Sequence, residues 1–474
     1  MFFRHRLTHF ISLCLAVLLL ATTLCPLTVL AEPTTPEGVT GDTGTSAEPN
    51  TGEMTPAPEL ESGVALLMDA DSGMVLYEKN GYEKHYPASL TKMMTAILAV
   101  EYADMTSSVT FSETAVALEY GASHIGVTAG EVLSMNDCMY ALLLASANEC
   151  ANGIAESISG SIAAFGQLMT QRAAALGALN TNFTNPSGLH DDAHYTTAYD
   201  MALIAREFLN HSELLEIETV LDYTIGETNL VDETRTFQQK HNMAYSGNQY
   251  FYEDGTFLAG KTGYTDASGT TLVTCVEKND MRLIAVLFQA NGKHAYVDTS
   301  TLFNYGFENY ANVAMNDLKS VYVDKQGILA AVKSKFGLIA DDIHYDETTA
   351  ALLPIDYNAA YITTNTLFEE TLDENSGLIG TFLIQYNRQI VQSIPLYIDI
   401  KDAKPVVPAN QIVTQNTTAK KSPGVPTALI VVLVIVVIFG ICIGFLQARA
   451  TRLRKQKLSH RRQQRSRMAV SYKK

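Results

Sequence analysis

Two hairpin signatures, far apart in the chain, set the strongest limit on its fold. Residues 64–80, VALLMDADSGMVLYEKN, read as two strands around a turn at Asp71-Ser72-Gly73. Residues 271–290, TLVTCVEKNDMRLIAVLFQA, read as two more, turning at Lys278-Asn279-Asp280. Helical periodicity fills the space between, starting near Ser89 and running past Val100, then over 136–158 and 161–176, and another helix is expected over 294–310. Strands at both ends of one segment predict a single sheet drawn from both ends, in a mixed α/β domain spanning 62–315. Residues 316–401 change character. The short runs SVYVD, ALLPI, AAYITT, GTFLIQYN and SIPLYIDI predict a small all-β domain there.

The two ends of the chain follow a different logic. Residues 1–31 carry Arg4 and Arg6, then an apolar run, then Val29-Leu30-Ala31. That is the pattern of a secretory signal peptide. Residues 427–446, TALIVVLVIVVIFGICIGFL, hold no charge and are long enough for a transmembrane helix. Residues 447–474 then carry 11 Lys or Arg and no acid, which places that tail on the cytoplasmic side. Residues 32–61 and 402–426 are rich in Pro and Thr and read as linkers, the first of them disordered. The expected location is therefore the cell membrane, single-pass, with the bulk of the chain outside.

Charge sharpens this reading. The formal net charge of −17 averages over a basic tail and an acidic body. All 50 acids lie in residues 32–426, against 20 of the 33 basic residues, so that stretch is near −30. Such a body repels nucleic acid and an anionic lipid surface alike. Of six cysteines only Cys138, Cys150 and Cys275 fall inside it, an odd number that does not make a disulfide framework. They read as small buried apolar residues, with a Cys138–Cys150 bridge left open.

Chemistry enters with YPASLTKMMTA, residues 86–96. Ser89 falls near a helix start, where backbone amides favour an oxyanion. Lys92 follows three residues later, on the same face and among apolar neighbours that favour its neutral amine. Alone, these four residues read more simply as a capping serine and a lysine snorkelling to solvent. Two further motifs change the balance. LLLASANEC places Ser146 and Asn148 in an apolar surround, and LAGKTGYTDASG places Lys261, Thr262 and Gly263 before the second hairpin. S-x-x-K, S-x-N and K-T-G in that order form the signature of penicillin-binding proteins and class A β-lactamases, with Ala147 standing where the reference pattern has Asp.

On these motifs the chain resembles the low-molecular-mass penicillin-binding proteins that are serine D-alanyl-D-alanine carboxypeptidases. The stretches GVTAGEVLSMNDCMYALLLASANECA and NTNFTNPSGLHDDAHYTTAYDMALIARE carry the likeness beyond the motifs. The resemblance implies a β-lactamase/transpeptidase-like domain, an antiparallel sheet flanked by helices. It implies Ser89 as acylated nucleophile, Lys92 as its base and Ser146 as proton relay. Asn148 would hold the peptide backbone and Lys92, and Lys261 with Thr262 would meet the terminal carboxylate. Gly263 and Tyr264 complete the substrate strand, with the amides of Ser89 and Tyr264 as oxyanion hole. No metal and no organic cofactor are implied. The implied partners are peptidoglycan stem peptides, β-lactam antibiotics as covalent inhibitors, and the membrane through the C-terminal helix.

Rival readings share some of these features. A DD-endopeptidase has the same motifs. A class A β-lactamase needs an additional deacylating Glu for which the sequence offers no convincing equivalent. A non-catalytic penicillin-binding sensor would not need Ser89, Lys92, Ser146 and Lys261 intact. His190 and His194, four apart with Asp191 and Asp192 between, could suggest a metal, but Pro186 and Gly188 make that stretch turn-like rather than helical.

Overall fold

The computed structural model describes residues 53–405. The expected signal peptide, most of both expected linkers, the expected membrane span over 427–446 and the basic tail lie outside the described residues. Among the described residues, no helix is long and apolar enough to cross a membrane.

The central sheet has five strands: β1 (Val64–Asp69), β2 (Val75–Lys79), β3 (Thr256–Thr265), β4 (Gly269–Lys278) and β5 (Met281–Ala290). Their order across the sheet is β2-β1-β5-β4-β3, and every neighbouring pair is antiparallel. The sheet expected from both ends of the segment is therefore present, with β1 and β5 as its seam. The β4–β5 turn falls at Asn279 and Asp280, with φ of 52° and 60°, the left-handed pair that two-residue hairpins favour.

Strand periodicity decides what each face holds. Val64, Leu66 and Met68, with Ile284, Val286 and Phe288, point into one apolar cluster. Ala65 and Leu67, with Leu283, Ala285 and Leu287, point into another. Both faces are covered, so these strands read as continuous apolar runs. On the first face pack α1 (Lys92–Tyr102), α2 (Met135–Tyr140), α3 (Asn148–Ser159), α4 (Ile162–Ala175), α5 (Ala198–Phe208) and α6 (Ser212–Glu218). On the second face lies α7 (His294–Asn309).

Three expectations need correction. The helix expected over 136–158 is interrupted: α2 passes into a π-helical turn, Ala141–Ala145, and the chain reverses at Ser146 and Ala147 before α3 begins. Residues 316–401 are not all-β. Besides strands Ala350–Pro354, Ile362–Phe368, Leu378–Tyr386 and Gln389–Tyr397 they contain a 12-residue helix, α8 (Lys325–Phe336), and SVYVD forms no strand. The helix signals were present. Asp324 accepts from the Gly327 amide as N-cap, Ile328 and Val332 recur one turn apart on the buried side, and Gly337 ends the helix at φ 67°. Finally, residues 55–60 of the expected linker run against the body. Leu60 is buried, Tyr77 donates to Pro58 O, and Lys79 Nζ donates to Leu60 O.

Candidate active site

Ser89 stands on a strained turn. Ala88 before it has φ 48°, a left-handed conformation that costs a residue with a Cβ about 1–2 kcal/mol. The surroundings enforce it. Thr91 Oγ1 donates to Ala88 O at 2.8 Å, and Thr271 Oγ1 from β4 donates to Pro87 O at 3.0 Å. Gly188 presses on the same carbonyl so closely that a Cβ there would lie 1.8 Å from Ala88 O. Residues Ala88–Thr91 form a 3-10 turn that runs into α1. In a 3-10 turn residues three apart eclipse, which brings Lys92 directly over Ser89.

The Lys92 amine has three oxygens around it: Ser89 Oγ at 2.9 Å, Asn148 Oδ1 at 2.6 Å and Ser187 O at 2.7 Å. Its side chain is fully buried. Burial holds its pKa well below the ordinary lysine value, helped by the charges of Lys261 and Lys240 and opposed by Glu149. Proton counting gives the consequence. Asn148 Oδ1 and Ser187 O can only accept, so a neutral amine spends its two N–H bonds on them. Its lone pair is then left facing the Ser89 hydroxyl, which is the arrangement of a general base.

The break after α2 serves Asn148. Five π-helical residues add a slightly wide turn, and Ser146 follows at φ 60°, ψ 35°. The Asn148 amide donates to Ser123 O at 2.9 Å, and its side chain reaches Lys92 from the start of α3. Ser146 is buried, two residues from Asn148. A continuous helix could not present both residues at its own end.

The third motif lies on edge strand β3. Gly263 is pressed against the Ser89 turn, where a Cβ would meet Ser89 N at 2.9 Å and Thr271 Oγ1 at 2.5 Å. Glycine alone lets β3 approach the nucleophile's own amide so closely. Lys261 pairs in register with Val273, whose side chain faces the helical cluster. It is 2% exposed, and its Nζ makes only a long contact, 3.3 Å, to Thr262 O. Burial pulls its proton affinity down, and the carboxylate of Glu218 pulls it back. Thr262 is half-buried, while the Tyr264 ring is 66% exposed and donates to Asp266 Oδ1 at 3.2 Å. The Tyr264 side chain thus leaves the cleft, and its backbone remains the part available to a substrate.

Ser89, Lys92 and Asn148 are therefore in direct contact, with Gly263 against Ser89 and Lys261 close enough to act on Lys92 by charge. Sequence reasoning missed the Ser187 carbonyl, the pressing Gly188, and Glu149, Lys240 and Glu218. Ser187 and Gly188 belong to the NPSG stretch, whose turn character was visible. His194 is occupied structurally: its Nε2 lies 2.8 Å from Thr91 Oγ1, and its Nδ1 accepts from the Thr184 amide at 3.1 Å. Burial lowers its pKa to about 4. Neither ring nitrogen is left for a metal. Glu101, Glu207 and His211 approach one another closely enough for a cation, but Arg172 already donates to both carboxylates. Cys138, Cys150 and Cys275 are free and buried.

Comparison with known proteins gives the family. Residues 51–292, just over half the chain, match the S11 peptidase family, described as D-alanyl-D-alanine carboxypeptidase. The chain belongs to this family of serine D-alanyl-D-alanine carboxypeptidases. It is 34% identical over 263 residues to D-alanyl-D-alanine carboxypeptidase DacF of Bacillus subtilis, a match covering 53% of this chain and 63% of that one. To DacC of Escherichia coli it is 28% identical over 353 residues, covering 72% and 84%. In fold it is similar to penicillin binding protein 5 from Haemophilus influenzae, with a TM-score of 0.54 at 23% identity, over 74% of this chain and 99% of that one.

Proposed function

We propose that this chain removes the terminal D-alanine from peptidoglycan pentapeptide stems through an acyl-enzyme at Ser89, and that β-lactams acylate the same oxygen. The observation that carries the reading is the Lys92 amine held between two acceptor-only oxygens and the Ser89 hydroxyl. Ser89 Oγ attacks the carbonyl of the penultimate residue as its proton passes to Lys92. The resulting oxyanion lies at the backbone amides of Ser89 and Tyr264, a reading supported by the close approach of Gly263, next to Tyr264, to the Ser89 amide. The C–N bond breaks as Ser146 relays a proton to the leaving amine. Water then attacks the ester, again losing its proton to Lys92, and Ser89 is restored. Lys261 and Thr262 grip the carboxylate of the departing D-alanine, which an exopeptidase must recognise.

The proposed setting is extracytoplasmic, with residues 427–446 as a single membrane span and the basic tail inside. The acidic charge of residues 32–426 supports that placement, since it holds the body off an anionic lipid surface.

Labelled penicillin tests the nucleophile: it should acylate the wild type and not Ser89→Ala. Equal labelling of both would defeat the assignment. A stem pentapeptide should release free D-alanine, whereas splitting of cross-linked dimers into monomers with no D-alanine released from the pentapeptide would make the enzyme an endopeptidase.

A further inference from the structure

The reaction as derived uses Asn148 and leaves the carboxylate beside it without a part. Glu149 is the second residue of α3 and is 1% exposed. An acid in the first turn of a helix is favoured by the helix dipole alone. This one does something more specific, because its hydrogen bonds run to a loop 23 and 24 positions earlier in the chain. Its Oε1 accepts the Ile125 amide at 2.7 Å and the Gly126 amide at 3.2 Å. Its Oε2 is buried and takes no hydrogen bond among the described residues. Residues 117–131 form neither helix nor strand, so the loop has no ladder of its own to satisfy its backbone. Neither amide has a backbone acceptor among the described residues, and Glu149 is what holds them.

The loop in turn holds Asn148. α3 begins without a side-chain cap, and the Asn148 amide is one of the donors such a helix start leaves over. It goes to Ser123 O at 2.9 Å, two residues before Ile125. Ser123 is gripped a second time, by Lys240 Nζ donating to its Oγ at 3.1 Å. The Lys240 amide donates to Leu144 O at 3.2 Å, in the π-helical turn just before Ser146. The start of α3 is therefore fixed from behind by the reversal at Ser146 and from in front by the loop. The contacts run without a gap from Glu149 Oε1 through residues 123–126 to the Asn148 backbone. From there they reach Asn148 Oδ1, 2.6 Å from the Lys92 amine.

We propose that Glu149 is a positioning residue for acylation: its carboxylate staples the 123–126 loop to the start of α3, and the staple fixes Asn148 so that Oδ1 takes one Lys92 N–H and the lone pair stays on Ser89. Glu149 touches no reacting atom. The inference rests on the reading of Lys92 as the base for Ser89.

The test follows acylation of the full chain by labelled penicillin at rising concentration, which separates the limiting rate from the apparent dissociation constant. Glu149→Gln keeps an oxygen for both loop amides and puts an NH2 where Oε2 has no partner. It should unfold at lower urea and still acylate within threefold of wild type. Glu149→Ala removes the acceptor. Its limiting rate should fall about 10- to 100-fold, with the dissociation constant within threefold, as expected when the base is misplaced and the cleft is intact. A merely structural Glu149 would give an alanine variant that unfolds earlier and acylates at the wild-type rate, which overturns the proposal. Equal slowing by Gln and Ala also overturns it, since the charge and not the staple would then matter. Should the alanine variant not fold, Glu149→Asp, one methylene short of the loop amides, takes its place with the same slowing expected, and a rate within twofold overturns the proposal. No labelling of the wild type would defeat the reading of Ser89 itself, and this inference would fall with it.

Discussion

Gly188→Ala should cripple acylation from a position that touches no substrate. The new methyl would lie 1.8 Å from Ala88 O, 2.4 Å from Ala88 C and 2.8 Å from Thr91 Oγ1. Two of these atoms are backbone and cannot swing aside, so the carbonyl must retreat by more than an ångström. The φ of +82° adds about 1–2 kcal/mol of strain for a residue with a Cβ. Overpacking of this kind costs about 1–3 kcal/mol more. Ala88 leads directly into Ser89, so its displacement moves the nucleophile relative to Lys92, and a 1 Å misplacement costs roughly 100-fold in rate. The expected outcome is a loss of about 2–5 kcal/mol in urea unfolding, with penicillin acylation slowed about 100-fold. Gly177→Ala separates the two effects. Gly177 shares the left-handed conformation, at φ 86°, but its added methyl meets only Leu203 Cδ1 at 3.7 Å. That variant should lose about 1–2 kcal/mol and keep its acylation rate. If Gly188→Ala acylates within threefold of wild type with an unchanged midpoint, the account of the strained Ser89 turn is wrong.

Two further outcomes can be checked directly. Asn148→Ala removes one of the two oxygens that hold the neutral Lys92 amine, and acylation should slow by about 10- to 100-fold, with little change in unfolding cooperativity; a rate within twofold would show that Ser187 O alone orients the base. Stability should fall as pH drops from 6.5 toward 4, because His194 and His241 are kept neutral in the fold, at about 4 and about 3, while the unfolded chain protonates both. The unfolded state binds more protons in that window, so the slope has this sign, and the two histidines cost about 2–4 kcal/mol between pH 7 and 5. Urea midpoints that stay flat over that range would remove the argument.

The sequence displayed the sheet clearly, because β1, β4 and β5 are apolar on both faces and bounded by turn residues. It displayed the reacting groups for a different reason. Three short motifs in a fixed order carry their own chemistry, and the 3-10 turn at Ser89 needed no prediction to place Lys92 three residues on. What stayed hidden was geometry set by distant packing. The reversal at Ser146 interrupts a run, ALLLASANECA, whose apolar residues continue helical periodicity without a pause. Nothing local marks the π-helical turn, since the Ser123 carbonyl that receives the Asn148 amide comes from a separate loop. Ser187 contributes only a backbone oxygen, which no side-chain pattern can announce. Glu218 lies 43 positions before Lys261, in a stretch, SELLEIETV, that reads as an ordinary solvated helix end. The helix Lys325–Phe336 is legible in its caps, Asp324 and Gly337, but the β-rich runs on either side of it outweigh its short periodicity.

The apolar cluster on the sheet's second face does not stop at α7. It continues without interruption from Leu67 and Leu283 through Phe303 to Met315, Val332, Leu353 and Ile394. The catalytic half and the C-terminal half therefore share one interior and have no swivel between them. Whatever grips the chain near Ala403 also dictates the direction in which the cleft looks, so the enzyme can be aimed from its far end without any contact at the site itself.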